Sequence, residues 1–501
     1  MELLLATISL LVGCVTVWRW SLSTSRNSQL PPGPPGHWFW GNDFPKKLSF
    51  IKFYEWSKEY GPVFSLRRGR RVIVVVNGYK AAMDILEKEG VSSADRPQNI
   101  AASDILSGGK RLLLLGVGER FRKSRKALHK HLYPRMAASY EPLQAFNAKI
   151  LIRDILDDAD DHWEHAKRYA GSVILSLTYG KPSPSNKSDP NVAIINEGLV
   201  RVGEASRPGA YYVEQLPWLK YIPFYGMKLR RWHREELAMF REQLNGVRDD
   251  MAKGKARPSF GRYLVEKQEN LGLSDDEAAY LAGSMFGAGS ETTASGISVV
   301  IMAAALYPEA QAAVARELDK VVGPDRLPSY SDWDLLPQVH AFYLEAARWR
   351  PGVAGGFQHS TTKDILWNGY HIPAGATIIG NHWAIGRDPE IFPDGDEFKS
   401  GRWFDKDGKV KPDMKFPAFG FGRRICPGAE VATRSMFINT AFLLWSFRIK
   451  TDPKRPIDTL AFREGVITLP LPFAVQFETR RSGLREMLSM NDGDDEVRFG
   501  V

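Results

Sequence analysis

The segment Phe419-Gly420-Phe421-Gly422-Arg423-Arg424-Ile425-Cys426-Pro427-Gly428 decides how the rest of the chain is read. Its glycines let the backbone turn tightly and aim amide groups at the Cys426 sulfur. Such amides stabilise a thiolate and tune the potential of a metal bound to it. A helix is predicted to start after Pro427, so its positive end also faces the sulfur. Arg424 can pair with an anionic group beside that metal. A lone cysteine in a glycine-rich loop is most often a buried structural residue; the surrounding pattern favours a ligand here.

Cys14 is the only other cysteine among 501 residues. No disulfide can form inside the main body, which suits a reducing, cytosol-facing location. The hydrophobic fraction is 44% and the charged fraction 25%, ordinary for a globular protein that builds its own core. The net charge is +9, which fits a solvated face or a docking surface for an acidic partner or anionic membrane. No nucleic-acid partner is expected.

Residues Leu3 to Trp18 are almost wholly apolar. They predict an uncleaved membrane anchor over residues 1–20, with Trp18 and Trp20 at the interface. Glu2 and the lack of a small-residue cleavage site argue against a signal peptide. Arg19, Arg26, Lys46 and Lys47 follow the run, so the body is expected on the cytoplasmic side of the bilayer. Pro31-Pro32-Gly33-Pro34-Pro35-Gly36 makes the linker, residues 21–44, a semi-rigid spacer. The body is expected over residues 45–480. Residues 481–501 read as a polar, disordered tail.

Within the body, Phe50, Phe53, Tyr54 and Trp56 predict a helix ending at Gly61-Pro62, then two strands around the Arg67–Arg71 turn. Ser274 and Glu277 form a capping box that opens a helix running to Leu306. It is apolar on most sides and so should be buried. Gly283, Gly287, Gly289 and Gly296 within it mark a bend or a close approach.

Three further patterns carry chemistry. Glu345-Ala346-Ala347-Arg348 puts opposite charges on one helix face. Ala288-Gly289-Ser290-Glu291-Thr292-Thr293 sits mid-way along the long helix. Small residues there leave room, a hydroxyl can donate, and a carboxyl can relay protons. Without the cysteine loop it would read as a helix-packing stripe. Arg120 to Lys126 opens a basic helix that continues to Lys130 and suits an acidic protein partner.

Together these segments resemble the cytochrome P-450 family. The loop matches Phe-x-x-Gly-x-Arg-x-Cys-x-Gly at every fixed position, placing Phe419, Gly422, Arg424, Cys426 and Gly428 at family positions. The resemblance implies a mainly α fold with smaller β-sheets, preceded by one N-terminal transmembrane helix. It implies that Cys426 is the axial ligand of haem b, iron protoporphyrin IX, and that Arg424, Arg125 and His359 contact its propionates. Glu345 and Arg348 resemble the family's structural pair. Arg402 resembles the third member, although Ser400-Gly401 replaces the usual Pro-Glu before it. Ala288 and Gly289 resemble the residues that make room for dioxygen, and Glu291 and Thr292 those that deliver protons. Phe121 stands where the family usually has Trp, so one N–H donor is missing and haem retention is expected to suffer.

The activity so implied is insertion of one oxygen atom of dioxygen into a hydrophobic small molecule, terpenoid, sterol or polyketide-like. The resemblance is strongest to fungal enzymes of specialised metabolism at the endoplasmic reticulum membrane. Electrons from NADPH would come through a separate flavoprotein reductase, because Gly116-Val117-Gly118 fails the dinucleotide pattern. Substrate contacts are expected from residues 96–115, 202–212, the long helix, 351–357 and the turn at Gly465. The small residues of 351–357 either open a roomy pocket or only shape the backbone. Two other readings stand beside this one: a haem-thiolate isomerase or dehydratase that needs no dioxygen, and a non-catalytic haem-binding membrane protein. The absence of Gly-x-Ser-x-Gly and His-Glu-x-x-His disfavours a hydrolase.

Overall fold

The computed structural model describes residues 29–489, except 46, 183–189, 208, 413, 415 and 464, together with Gly13. The expected anchor, the start of the linker and residues 490–501 of the tail lie outside the described residues.

Long helices carry the fold. They are α1 (Ser49–Tyr60), α2 (Glu119–Leu132), α3 (Glu141–Asp157), α4 (His162–Tyr179), α5 (Pro190–Ser206), α6 (Met227–Ala252), α7 (Phe260–Leu271), α8 (Asp275–Leu306), α9 (Pro308–Val321), α10 (Pro337–Trp349) and α11 (Ala429–Ser446). Short strands fill the gaps: β1 (Val63–Arg68), β2 (Arg71–Val76), β3 (His359–Ser360), β4 (Ile365–Trp367), β5 (Tyr370–Ile372), β6 (Thr377–Gly380), β7 (Phe447–Thr451), β8 (Phe462–Arg463), β9 (Leu469–Pro470) and β10 (Val475–Thr479).

The largest sheet runs β1-β2-β6-β3. β1 and β2 form a hairpin in register from Val63↔Val76 to Arg68↔Arg71. β2 pairs in parallel with β6, and β6 antiparallel with β3, which sets His359 opposite Ile378. Val74, Val75 and Val76 are all buried, as a strand covered on both faces requires.

α8 is the axis of the helical layer. Ser274 Oγ accepts from the Glu277 amide, and the Glu277 carboxylate accepts from the Ser274 amide. The helix is long and apolar enough to cross a membrane, yet most of it is buried in protein as the core helix. Its glycines answer to neighbours rather than to a break. A Cβ on Gly283 would sit 2.3 Å from the Phe240 ring of α6. One on Gly296 would sit 2.7 Å from Met436 Sδ of α11. The main core joins α3, α4, α8 and α11 through residues such as Leu151, Tyr169, Phe286 and Phe442.

The expected disordered tail needs correction in its first part. Leu484–Ser489 is helical, with Leu484 and Leu488 buried and Arg485 paired with Asp157 of α3. Two leucines four apart give this polar stretch one apolar face, enough to dock a single turn and a half.

Candidate active site

The cysteine loop is built by its own backbone. The Cys426 amide donates to the Phe419 carbonyl at 2.8 Å, and a 3-10 turn covers Gly422–Arg424. Gly420 (φ 82°) and Gly422 (φ 49°) both take left-handed conformations that favour glycine. Gly422 also lies against Gly90, and its amide donates to Glu87 Oε2 at 2.6 Å. α11 begins directly after Gly428, as its sequence predicts.

The Cys426 side chain is exposed although protein surrounds its loop. That protein mass pushes the thiol up from its ordinary value, while the Gly428 amide and the Arg125 guanidinium pull it down. The sulfur therefore faces open space with an amide and a cation supplied for its charged form.

A group of cations lies beside it. Arg125 Nη1 donates to the Ile425 carbonyl at 2.8 Å. Arg424 donates to the carbonyls of Ala94 and Leu115, with its guanidinium 3.8 Å above the Phe121 ring. Arg96, from Ala94-Asp95-Arg96-Pro97, donates to the carbonyls of Leu113 and Gln358. His359 Nδ1 donates to the Ser93 carbonyl at 2.8 Å. Among the described residues none of Arg96, Arg125 and Arg424 forms an ion pair with a carboxylate. Burial, then repulsion from Arg424, holds Arg96 below its ordinary value, and burial does the same to Arg424, with Arg125 adding to it; Asp95 opposes both only in part. Burial, then Arg96, drives His359 down to about 3. Asp95 itself is turned elsewhere, its Oδ1 accepting from the Val117 amide at 2.7 Å.

A thiol ligand beside several guanidinium groups that lack carboxylate partners fits a metal macrocycle bearing acidic side chains. Haem meets that description, so the residues present fit the group. Cys426 would hold the iron, and Arg96, Arg125, Arg424 and His359 would hold the propionates. Arg96 was expected at the edge of the substrate-contacting segment 96–115 and not among these cations: a single arginine in a loop has no spacing that marks it.

The Glu345 network lies apart from this group and is closed. Glu345 and Arg348 are fully buried and joined by paired bonds of 2.7 and 2.8 Å. Arg402 Nε reaches Glu345 Oε1 at 3.0 Å, and Trp403 Nε1 reaches Oε2 at 2.9 Å. Arg348 spends its remaining donors on the carbonyls of Gly386, Gly395 and Glu397. Ser400-Gly401 adopts a 3-10 turn that still delivers Arg402.

On α8, Ala288 is exposed in the middle of a largely buried helix, and Thr292, four residues on, shares its face. Thr292 Oγ1 donates to the Ala288 carbonyl at 2.8 Å. A Cβ on Gly289 would lie 2.6 Å from Ile174 Cγ1 of α4, so the packing of α4 on α8 itself requires a glycine here. Glu291 is buried, and its Oε2 pairs with Arg463 Nη2 of β8 at 2.5 Å.

The cytochrome P450 family model matches residues 31–477. The chain belongs to the cytochrome P450 family. Cytochrome P450 monooxygenase 88 of Postia placenta is 53% identical over 92% of this chain and 93% of its own length. Cytochrome P450 monooxygenase 113 of the same fungus is 52% identical over 96% of this chain and 97% of its own. A cytochrome P450 monooxygenase of Armillaria gallica is 38% identical over 94% of each. This P450 is therefore a monooxygenase whose family implies haem, dioxygen, a small-molecule substrate and a redox partner.

Proposed function

We propose that this P450 oxygenates a hydrophobic small molecule, terpenoid, sterol or polyketide-like, in fungal secondary metabolism, with NADPH electrons delivered by a flavoprotein reductase at the endoplasmic reticulum membrane. The observation that carries the reading is the open Cys426 sulfur beside guanidinium groups without carboxylate partners. When bound, haem supplies the oxidising chemistry, and the protein supplies position, charge and protons. Cys426 binds as thiolate, favoured by the Gly428 amide and Arg125. Thr292 offers a hydroxyl on the open face of α8, and Glu291 sits one residue before it.

An apolar substrate is supported by the half-buried Leu112-Leu113-Leu114 turn, tied to Arg96 through the Leu113 carbonyl. The glycines of 351–357 lend less support to a roomy pocket. Gly356 has φ 65° and packs on the Gly380 carbonyl, and the nearest atom to a Cβ on Gly355 belongs to Phe50 of α1. The backbone-shaping alternative accounts for both.

Membrane association is supported by exposed aromatics. Trp38 and Trp40 stand out from the end of the linker, and Trp218, Tyr221 and Phe224 from the stretch between α5 and α6. The β1–β2 turn joins the two groups: the Gly69 amide donates to the Trp40 carbonyl, and Arg71 Nη2 to the Glu214 carbonyl. Such amphipathic rings suit a headgroup interface. The basic face of α2 suits an acidic reductase.

The test is optical, then chemical. Titration of the ferric protein with terpenoids, sterols and polyketides should give a saturable Soret shift with one class. With NADPH, a fungal P450 reductase and labelled dioxygen, that compound should gain one labelled oxygen. A product without label, or one formed without NADPH, would overturn the reading.

A further inference from the structure

We propose that Arg463 is a positioning residue for proton delivery, acting through Glu291 on the Thr292 hydroxyl. Arg463 lies on β8, and Nη2 meets Glu291 Oε2 at 2.5 Å. The two ends of this pair differ. The Glu291 side chain is 1% exposed and that of Arg463 31%, so the pair runs from inside α8 to solvent. Glu291 Oε1 is buried and has no hydrogen-bond partner. An unpaired buried carboxylate oxygen is costly, and a part in proton transfer is one reason for a site to keep it.

The contact is held in place by the hairpin that carries it. β8 pairs with β9, and next to β9 the Thr468 carbonyl accepts from Ser295 Oγ of α8 at 3.0 Å. The Thr468 amide donates to the Gly352 carbonyl at 2.7 Å. The hairpin is thus tied to α8 a turn beyond Glu291. Arg463 has a fixed base from which to hold or release the carboxylate.

When the pair opens at its solvent end, Glu291 takes a proton from water. Through water it gives this proton to the Thr292 hydroxyl oxygen, which releases the Ala288 carbonyl and passes its own proton to dioxygen as the redox partner's electrons reduce it. Glu291 is again a carboxylate and pairs once more with Arg463. Removing the guanidinium leaves a buried carboxylate without counter-charge or link to solvent.

The inference rests on the monooxygenase reading, but its test needs neither a known substrate nor a reductase. The haem-loaded protein is reduced with dithionite and mixed with air-saturated buffer made in H2O or D2O. Return to the ferric state is followed by absorbance. A proton delivered to the reduced dioxygen assists its departure, so the H2O/D2O rate ratio reads proton supply. Glu291→Gln should slow the return roughly tenfold and change the ratio. Arg463→Met should match it, Arg463→Lys should restore the parent values, and the Glu291→Gln/Arg463→Met double variant should equal Glu291→Gln alone. If Arg463→Met does not retain haem, Arg463→Gln serves in its place. A parent-like ratio in the Arg463 variants would overturn the proposal. So would a double variant slowed by the product of the single effects, or a Glu291→Gln protein that behaves as the parent.

Discussion

Two arginine-rich regions of this protein use the same side chain to opposite ends. Around Glu345, the guanidinium groups of Arg348 and Arg402 meet a buried carboxylate and backbone carbonyls, so charge and hydrogen bonds are satisfied within the protein. Around Cys426, Arg96, Arg125 and Arg424 meet backbone carbonyls and no ion-paired carboxylate. The first region is complete and acts as scaffold. The second offers its charge to an anionic ligand, and the propionates of the haem that the family implies would fit it. Paired charge in the interior reads as structure; unpaired charge of one sign reads as a binding site.

The largest effect should come from breaking the closed region. Glu345→Gln keeps the shape and removes the charge, leaving two buried guanidinium groups without a counter-ion. The expected loss is about 3–5 kcal/mol in urea unfolding of the haem-loaded protein. Arg402→Met removes one arm only and should lose less. A Glu345→Gln protein within about 1 kcal/mol of the parent would remove the distinction between the regions.

Breaking the open region should act on the ligand instead. Arg96→Met and Arg424→Met each remove a charge-assisted partner of a propionate, worth about 1.5–3 kcal/mol. Haem transfer to apomyoglobin should quicken roughly tenfold or more in each. A loss rate unchanged in both variants would detach these residues from the cofactor.

This division explains what the sequence showed. The cysteine loop, the capping box of α8, the first hairpin and the Glu345–Arg348 pair rest on contacts a few residues apart, which leave a spacing to read. Arg96 with Gln358 and Glu291 with Arg463 join residues 262 and 172 positions apart, and no spacing records such meetings. Gly289 was legible as small but not as facing Ile174, because a glycine's neighbours depend on how α4 crosses α8. The turn at Leu484–Ser489 was hidden by polar composition, since a single docked face needs only Leu484 and Leu488.

Acid should sharpen the contrast. Burial drives His359 to about 3 and His382 to about 4 from the ordinary value of 6.5. Both are folded as neutral rings, so between those values the unfolded chain binds more protons. Stability is full above pH 6.5 and falls with pH below it, by up to about 1.4 kcal/mol per unit for each histidine. Urea midpoints between pH 7.5 and 5 check this. Burial depresses His382 with no arginine among its causes, so His382→Asn should flatten the slope with or without haem. Arg96 and Arg424 help to depress His359, and bound propionates would offset them. His359→Asn should therefore flatten the slope less in the haem-loaded protein than in the haem-free one. Equal effects in both forms would place His359 outside the reach of the propionates.

The smallest effect concerns Phe121, a residue that departs from the family's usual pattern. Phe121 was expected to weaken haem retention for want of an N–H donor. The ring instead supports Arg424 from beneath at 3.8 Å, a contact that holds the guanidinium without donating to anything. Such a contact is worth about 0.5–1 kcal/mol at a partly exposed site. Phe121→Leu keeps the apolar packing and loses the ring, so haem loss should quicken by roughly two- to fivefold. Phe121→Trp keeps a face for Arg424 and adds a donor, so haem loss should slow. The two variants separate the roles that the family's tryptophan combines. If Phe121→Leu leaves the rate alone while Phe121→Trp slows it, only the donor matters and the stack is idle. If Phe121→Leu quickens it and Phe121→Trp does nothing, support of Arg424 is the whole contribution of this position.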